Sequence, residues 1–342
     1  MMAMRQPVRA VELRHLSHLT DDRGIFEHAK GISPRFSHGY CTDDNARLLV
    51  VAVRHKESPD ESHILSRVAA RFLLDAQSDD GLIRNRMSFE RLWLDEPNLE
   101  DCWGRAMWAF GTAVARSPDT ELRNRCYEAF DRGHENRSPY LRSMCFSVLG
   151  AAELLEIEPN HAGALRMMAD ARLVFSGLFP QSAQWMWHEE RLTYANALIP
   201  EAMIAAGAAL KDDALISRGV RLLSWLLDRE TYDGRLSVTS NRGRGPSDIG
   251  PMFDQQPIEV AAIADAARRA HTVTGDSKWI DALDLSVAWF LGNNDSGESM
   301  IDGSSGGGFD GLQVEGVNLN QGAESTLAMI ATLQHCASTW LI

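Results

Sequence analysis

Six polar clusters are spaced along the chain, and each leads directly into an apolar segment rich in small residues. The interval between successive clusters is 39 to 65 residues, and their centres are Asp44, Asp101, Tyr140, Asn196, Gln256 and Gln321. An interval of that length holds one pair of helices with its loops, and a recurring interval is typical of repeat architectures. The sequence therefore predicts six helix pairs in which one helix of each pair begins with polar side chains.

The segments between these helices predict a second, outer set. They show apolar residues at helical spacing with charges between them, over 62–77, 120–131, 162–175, 213–227 and 277–291. The polar-headed helices carry few charges after their first turn, as expected of helices buried on both sides. The predicted fold is all-α: an (α/α)6 toroid of six inner and six outer helices, with short β-hairpins or loops at the cavity mouth.

Two other architectures are compatible with alternating helices, an open α-solenoid and a pair of unrelated bundles. A solenoid does not need polar starts on every inner helix, and its repeats are usually shorter. No Pro/Ser-rich linker interrupts the repeat, so residues 1–342 are predicted to form a single domain.

Charge and composition exclude several classes of partner. The chain has 34 basic and 47 acidic residues and a net charge of −13, which disfavours nucleic acid. No apolar run approaches the roughly 20 residues that span a bilayer, and the first residues lack the apolar core of a signal peptide. Five cysteines without close pairing fit a reducing compartment, so a cytoplasmic protein is expected, and its oligomeric state is left open.

The carboxylates at the inner-helix starts are the candidate catalytic groups. Helix N-termini attract carboxylates, so capping or salt bridges to Arg47 and Arg105 explain some of them. Adjacent acids such as Asp43 and Asp44 exceed what a cap needs, and their mutual repulsion raises one pKa, as a general acid requires. Glycosidic cleavage uses two such groups. The predicted catalytic residues are Asp43, Asp44, Asp101, Glu201 and Asp254.

Amides, aromatic rings and arginines near the same helix starts are predicted to bind the substrate. A Trp or Tyr face matches the apolar face of a pyranose, although Trp side chains can equally fill the core, and Glu259 and Glu324 stand at capping-box spacing. The predicted binding residues are Tyr40, Asn45, Glu100, Trp103, Arg105, Tyr140, Arg142, Trp185, Trp187, Tyr194, Asn196, Gln255, Gln256, Glu259, Asn320, Gln321 and Glu324.

No metal or cofactor is predicted. Cys41, Cys102 and Cys145 lie near inner-helix starts but lack C-x-x-C spacing. The Gly-rich stretch 303–311 lacks the Lys-Ser/Thr of a phosphate-binding loop and is predicted to be a mobile rim loop. His28 and His38 could bind sugar hydroxyls or serve the structure.

On these residues the chain resembles the six-hairpin glycosidase-like superfamily over nearly its whole length. The Asp43-Asp44 pair is similar to the paired aspartates of bacterial endo-α-mannanases of this fold. The segments 39–47, 192–201 and 320–326 are similar to poorly characterised bacterial proteins found beside glycosyltransferases. The resemblance implies an (α/α)6 ring with acids at the inner-helix mouth and mostly inverting hydrolysis.

The expected function is therefore a glycoside hydrolase acting on a bacterial oligo- or polysaccharide. A sugar epimerase of the N-acylglucosamine 2-epimerase type uses histidines in the cavity, and the predicted inner helices carry none in their first two turns. A non-catalytic carbohydrate-binding protein would keep the aromatics and amides while individual acids became dispensable. A phosphorylase would need an anion pocket, which Arg47, Arg105 and Arg142 could supply.

Overall fold

A computed structural model describes residues 11–339, with side-chain surroundings up to residue 335. Its long helices alternate between an inner and an outer set. The inner helices are α2 (Thr42–Arg54), α4 (Asp101–Arg116), α6 (Leu141–Ile157), α8 (Leu198–Leu210), α10 (Pro257–Thr274) and α12 (Ala323–Thr339). The outer helices are α3 (Pro59–Ala76), α5 (Thr120–Gly133), α7 (Ala162–Ser176), α9 (Asp213–Arg229), α11 (Lys278–Phe290) and the short α1 (Arg14–Leu19).

The inner helices form a closed ring. Each contacts the next in chain order, and α12 returns to contact α2. Each of the five long outer helices packs on an inner helix beside it, and α1 packs on α12. The predicted (α/α)6 toroid is confirmed, because an open solenoid would leave its first and last inner helices apart.

Local sequence signals set the helix boundaries. The outer helices α5 and α9 begin at Asp119 and Asp212, whose carboxylates accept hydrogen bonds from backbone N–H groups of the first turn. Proline occupies the first turn of α3 and α10, where a missing N–H costs nothing. Helix α10 ends at Gly275, which has a φ of 69°.

Glycine allows the closest approach between inner helices. At Gly111 in α4, an added Cβ would lie 2.0 Å from the carbonyl oxygen of Gly150 in α6. At Gly104, about two turns earlier, it would lie 2.2 Å from the carbonyl oxygen of Ser143. Both contacts are with backbone, so the α4–α6 crossing excludes any side chain at these positions.

Within residues 11–339, four two-stranded antiparallel sheets, three of them hairpins, lie in connections that lead to inner helices. They are β1 (Ala29–Lys30) with β2 (Ser33–Pro34), β3 (Tyr40–Cys41) with β4 (Arg86–Met87), β5 (Thr231–Tyr232) with β6 (Arg235–Leu236), and β7 (Gly311–Gln313) with β8 (Gly316–Asn318). Asp233 and Gly234 both have positive φ in the β5–β6 turn, as the Asp-Gly pair predicts. The expected hairpins are thus present.

Six outer helices were predicted, but the sixth was not located in the sequence, because α1 has only 6 residues and therefore shows no periodic pattern. Within residues 11–339, no helix is both long enough and apolar enough to cross a membrane.

Candidate active site

The starts of the inner helices meet at one end of the ring, which we call the mouth. Side chains link several of these starts directly. Arg47 of α2 donates a hydrogen bond to Glu324 of α12, with a distance of 2.7 Å. The hydroxyl of Tyr194, in the loop before α8, donates to Asp101 of α4 at 2.7 Å. The polar clusters predicted from the sequence are therefore brought together.

Asp44 is the buried member of the aspartate pair. Its Oδ1 accepts from Nη1 of Arg47 at 2.6 Å and its Oδ2 from Sγ of Cys41 at 3.1 Å. Only 3% of the side chain is exposed. Burial raises the pKa of Asp44 to about 6, against the lowering effect of Arg47, and the charge of Glu324 adds to the rise. This carboxyl group can therefore carry a proton close to neutral pH.

Asp43 is the accessible member of the pair, with 22% of its side chain exposed. Its Oδ2 accepts a hydrogen bond from the amide of Asn85 at 3.2 Å. Its Oδ1 lies 3.3 Å from Nε of Arg105, an ion pair without hydrogen-bond geometry, and both atoms lack a hydrogen-bond partner within the described part of the chain. The two aspartates thus differ in environment, one buried and one open to the mouth.

Arg47 also binds a carboxylate from another inner helix, that of Glu324. Its two terminal nitrogens bind different acids, Asp44 and Glu324, so one guanidinium spans the gap between α2 and α12. The Glu324 side chain is 40% exposed and faces solvent on its other side. Glu324 was predicted to be a binding residue or a helix cap, and in the structure it lies next to the aspartate pair.

Glu27, Arg86 and Asp310 lie near the pair and were not predicted as site residues, and His28 was given only a general role. His28 pairs with Glu27 at 3.6 Å, and Glu27 also pairs with Arg86. The hydrogen bond and charge of Glu27 raise the pKa of His28, and the charges of Asp44 and Asp310 act in the same direction. Hairpin residues have no helical pattern, so only the adjacency of Glu27 and His28 to the first cluster could have indicated them.

Asp310 comes from the stretch 303–311 that was predicted to be a mobile rim loop. Its Oδ1 accepts from the backbone N–H of Gly322 at 2.7 Å, directly before α12. In the same stretch, Ser305 donates to Gln321 and the N–H of Gly308 donates to Thr326. The loop is therefore tied to the start of α12, and burial raises the pKa of Asp310.

A second polar group lies beside the first on the mouth, around Asp101 at the start of the neighbouring helix α4. Tyr194, which holds Asp101, is 41% exposed, and the guanidinium of Arg142 lies 4.7 Å from the centre of its ring. Arg142 donates to the carbonyl oxygen of Tyr194 at 2.7 Å and pairs with Glu189. Arg142 therefore fixes the loop that carries Tyr194, and Glu189 was not predicted.

The tryptophans predicted to stack on sugar rings are core residues. Trp103 and Trp187 are fully buried and Trp185 is 2% exposed. Trp185 and Trp187 pack against Trp225, and their indole N–H groups donate to Glu189. No ring face is open to a ligand, which corrects the prediction for these three residues. Tyr40 is likewise buried, and its hydroxyl donates to Asp21.

Most of the predicted amides hold the mouth loops in place. Asn45 accepts from the N–H of Ile25, Asn320 from the N–H of Gly31, and Gln321 donates to Asp302. The carboxylate of Glu259 accepts from Asn196 and from the N–H of Ala195, while Gln255 binds Trp289 and Asp295. These side chains, buried except for Asn320, already have partners, so the prediction of substrate contact is replaced by a structural role.

The remaining predicted residues lie on the rim. Glu100 and Tyr140 are exposed and Gln256 is half-buried. Asp254 is also half-buried, and within the described residues its side chain forms no hydrogen bond or ion pair. Its position before α10 puts it on the side of the ring away from the aspartate pair, so it is a candidate for substrate contact.

Below the mouth, the ring encloses a cavity of about 60 Å³ on its axis. Its walls are largely apolar, with polar side chains at both ends, and are formed by Arg47, Val50, Val51, Arg105, Trp108, Phe146, Leu149, Ala195, Leu198, Glu201, Ile258, Ala261, Ala262, Asp265, Leu327, Ala328 and Ala331. We call this space the axial cavity. No histidine is among these described wall residues.

Glu201 lies at the lower end of the axial cavity and also lines a polar cavity of about 430 Å³ at the opposite end of the ring. Burial and the neighbouring Asp265 raise the pKa of Glu201, and its nearest cation is Arg269 at 3.6 Å. The opposite cavity is organised around Glu153, which pairs with Arg54, Arg116 and Arg269. Glu201 is therefore distant from the aspartate pair along the axis.

Within residues 11–335, no three His, Cys, Asp or Glu side chains are arranged to hold a metal ion.

Comparisons with known proteins identify the fold and leave the reaction open. No family model and no curated protein matches the sequence. Among solved structures, the cellobiose 2-epimerase from Bacillus thermoamylovorans superposes with a TM-score of 0.71 at 11% identity, covering 96% of each chain. A D-mannose isomerase superposes with a TM-score of 0.67 at 12% identity, covering 95% of each chain.

A glycosidase also superposes, with a somewhat lower TM-score. The GH76 α-mannanase from Bacteroides thetaiotaomicron superposes with a TM-score of 0.63 at 9% identity, covering 88% of this chain and 87% of that one. The predicted fold is confirmed: this chain has the same (α/α)6 fold as these epimerase, isomerase and mannanase structures. Proteins of this fold include enzymes that hydrolyse glycosides and enzymes that epimerise or isomerise sugars, so the site must decide between them.

Proposed function

We propose that this protein is a glycoside hydrolase in which Asp44 is the general acid. One observation carries the proposal: a buried carboxyl group with a pKa of about 6 stands at the mouth beside a more exposed carboxylate, that of Asp43. Protonation of the leaving oxygen requires an acid that keeps its proton near neutral pH. The second role requires an ionised carboxylate, and glycosidases hold the two carboxyl groups about 5–9.5 Å apart, flanking the scissile bond.

Asp43 is the proposed second carboxylate. Its Oδ2 accepts a hydrogen bond from Asn85, its Oδ1 lies 3.3 Å from Nε of Arg105, and 22% of its side chain is exposed. It would either activate water, giving inversion, or attack the anomeric carbon, giving retention. The anomer of the first product distinguishes the two.

The shape of the mouth supports a saccharide as ligand. Tyr140 and Tyr194 expose 53% and 41% of their surfaces on the rim, beside the carboxylates of Glu100 and Asp101. An aromatic face next to hydrogen-bonding groups fits the C–H face and hydroxyl edge of a pyranose. We propose an oligosaccharide of bacterial origin as the substrate.

The experiment uses isotopes to identify the reaction. The protein is incubated with α- and β-linked oligosaccharide panels, neutral and acidic, in H2¹⁸O, and the products are analysed by mass spectrometry. Hydrolysis places ¹⁸O at one new end of the cleaved chain. We expect Asp43→Asn and Asp44→Asn to lower the rate by about 10² or more.

Asp60→Asn is the matched control, because it makes the same substitution at the exposed start of an outer helix. Folded aspartate variants that cleave at the wild-type rate would overturn the assignment. Binding of oligosaccharide without turnover on any substrate would leave a carbohydrate-binding protein.

A sugar epimerase or isomerase is the second candidate, and His28 is the observation that favours it. This half-exposed imidazole is paired with Glu27 and lies within the electrostatic reach of Asp44 and Asp310. Such an enzyme moves a proton at carbon, so it would exchange substrate C–H for deuterium in D2O, and His28→Asn would abolish the exchange. Hydrolysis without exchange excludes this candidate.

A cytoplasmic location remains a prediction. It is supported by Cys41, Cys102, Cys126 and Cys145, which are all free and buried. Fractionation of cells with an antibody against the protein tests it directly.

A further inference from the structure

The guanidinium of Arg105 is almost completely buried, with 5% of the side chain exposed. Within the described residues it makes no hydrogen bond at all. Its nearest acid, Asp43, lies 3.3 Å from Nε in a geometry that forms none, and its guanidinium carbon lies 4.0 Å from the centre of the Phe146 ring. The buried Nε–H therefore has no acceptor, which is costly in a buried position.

Arg105 lines the top of the axial cavity, and Trp108, one turn further along α4, lines the next level. The indole N–H of Trp108 is also buried and lacks a hydrogen-bond partner among residues 11–335. The two side chains lie on the same face of the helix, since residues three apart are neighbours. They form a short column of unpaired donors below the aspartate pair.

The size of the axial cavity limits what can reach these donors. Its volume of about 60 Å³ is less than half of the roughly 150 Å³ that holds a benzene ring. This volume suits one substituent of a ring held at the mouth better than it suits a whole pyranose ring. The substituent must be compact and must reach the level between Arg105 and Trp108.

The chemistry of the walls selects among substituents. Arg105 and Trp108 only donate hydrogen bonds, and the surrounding residues Phe146, Leu149 and Leu327 are apolar. A hydroxymethyl group would bring its own O–H, which neither Arg105 nor Trp108 can accept, so Oδ1 of Asp43 beside Arg105 would have to accept it. A carboxylate only accepts, and it can take the paired N–H groups of an arginine.

Given the saccharide substrate proposed above, on which this inference rests, we propose that Arg105 and Trp108 bind the carboxylate of an acidic sugar. The sugar ring would sit at the mouth, with its carboxylate pointing down the axis. The substrate class is then a uronic-acid-containing oligosaccharide. Arg47 is not part of this subsite, because Asp44 and Glu324 occupy its terminal nitrogens.

The test measures binding without turnover, using Asp44→Asn as the background. Dissociation constants are measured by calorimetry for a matched pair of oligosaccharides, one ending in glucuronic acid and the other in glucose through the same linkage. A charge-assisted hydrogen bond to a buried arginine predicts a preference of about 10- to 100-fold for the acid. Arg105→Gln should reduce that ratio to near one, and Arg105→Lys should retain part of it.

Trp108→Phe is a second variant, because it removes one N–H and keeps an aromatic ring. It should weaken acid binding several-fold while the neutral ligand is unaffected, and it keeps the test valid if Arg105→Gln does not fold. Equal affinities for the two ligands, or a ratio unchanged in all three variants, would overturn the proposal. The proposal would also be overturned if turnover required inorganic phosphate in wild type but not in Arg105→Gln. Arg105 would then bind phosphate instead of a sugar carboxylate.

These outcomes are separable from the proposed hydrolysis. Cleavage of neutral sugars by a protein without acid preference leaves hydrolysis intact and removes the carboxylate subsite. If wild type prefers the acidic ligand, the variants lose that preference and no cleavage is detected, the carboxylate subsite is supported and the hydrolase proposal is refuted.

Discussion

Replacing Asp44 by Asn should make the protein more stable at neutral pH, and the size of the effect follows from the site. Burial holds the pKa of Asp44 at about 6 instead of the ordinary 3.8, because the folded structure disfavours the charged form. A rise of about two pKa units corresponds to about 3 kcal/mol of unfolding free energy. Asn resembles the protonated acid, so the variant avoids this cost.

The sign of the pH dependence is fixed by the direction of the pKa shift. The folded state binds the proton more tightly than the unfolded state, so the stabilising effect of the proton is complete below about pH 3.8 and is lost as pH rises through about 6. Wild type and Asp44→Asn should therefore be nearly equal in stability at pH 4. The variant should be more stable by up to about 3 kcal/mol at pH 8.

Urea denaturation at the two pH values measures this difference. Asp302→Asn is the matched control with the opposite sign, because hydrogen bonds from Ser304 and Gln321 lower the pKa of Asp302. That variant should lose stability at pH 8. If Asp44→Asn is less stable than wild type at pH 8, Asp44 is a structural carboxylate and the reasoning for a general acid fails.

Three further predictions concern the ring and the rim. Gly111→Ala should destabilise the protein by about 2 kcal/mol despite the better helix propensity of Ala, because the added Cβ would lie 2.0 Å from the backbone of Gly150. Thermal melting tests this, with Gly303→Ala as the control, since a Cβ added there meets nothing within 4 Å. Glu153→Gln should cost about 3 kcal/mol at pH 7, because Arg54, Arg269 and Arg116 outweigh burial and lower the pKa of Glu153 to about 2. Because that pKa is lowered, the difference should shrink as pH falls from about 4.5 towards 2 in denaturation curves; a difference independent of pH contradicts it. Tyr194→Phe should lower kcat/KM about fivefold without a change in melting temperature, because only the hydrogen bond to Asp101 is lost. An unchanged kcat/KM would show that this hydrogen bond does not contribute to catalysis.

The ring could be predicted because its signals are local and periodic. The outer helix predicted over 213–227 is observed as Asp213–Arg229, and the one over 162–175 as Ala162–Ser176. Polar helix starts and small-residue interiors indicated which helices are inner. The short α1 could not be predicted, because six residues carry too little pattern.

The site could be predicted only in part. Asp43 and Asp44 stood out because two adjacent carboxylates exceed what one helix start needs. Glu27, His28 and Asp310 come from hairpins and loops, whose neighbours in space depend on closure of the ring between α12 and α2. No local sequence pattern indicates which loops this closure brings together.

The tryptophans and amides show the opposite error. Trp187 and Asn196 stand near the fourth inner-helix start in sequence, but nearness to a helix start does not determine on which side of the loop a side chain lies. Trp187 turns into the core against Trp225, and Asn196 turns towards Glu259. Residue type indicated chemistry at these positions, while burial decided their role.

The measurement that most directly tests Asp44 as general acid compares two substrates of the same sugar with different leaving groups. Wild type and Asp44→Asn are assayed on the natural oligosaccharide and on its dinitrophenyl glycoside, whose leaving group departs without a proton. A general acid predicts a loss of 10²-fold or more on the oligosaccharide and less than about tenfold on the activated glycoside. Equal losses on both substrates, or no loss on either, would contradict the account.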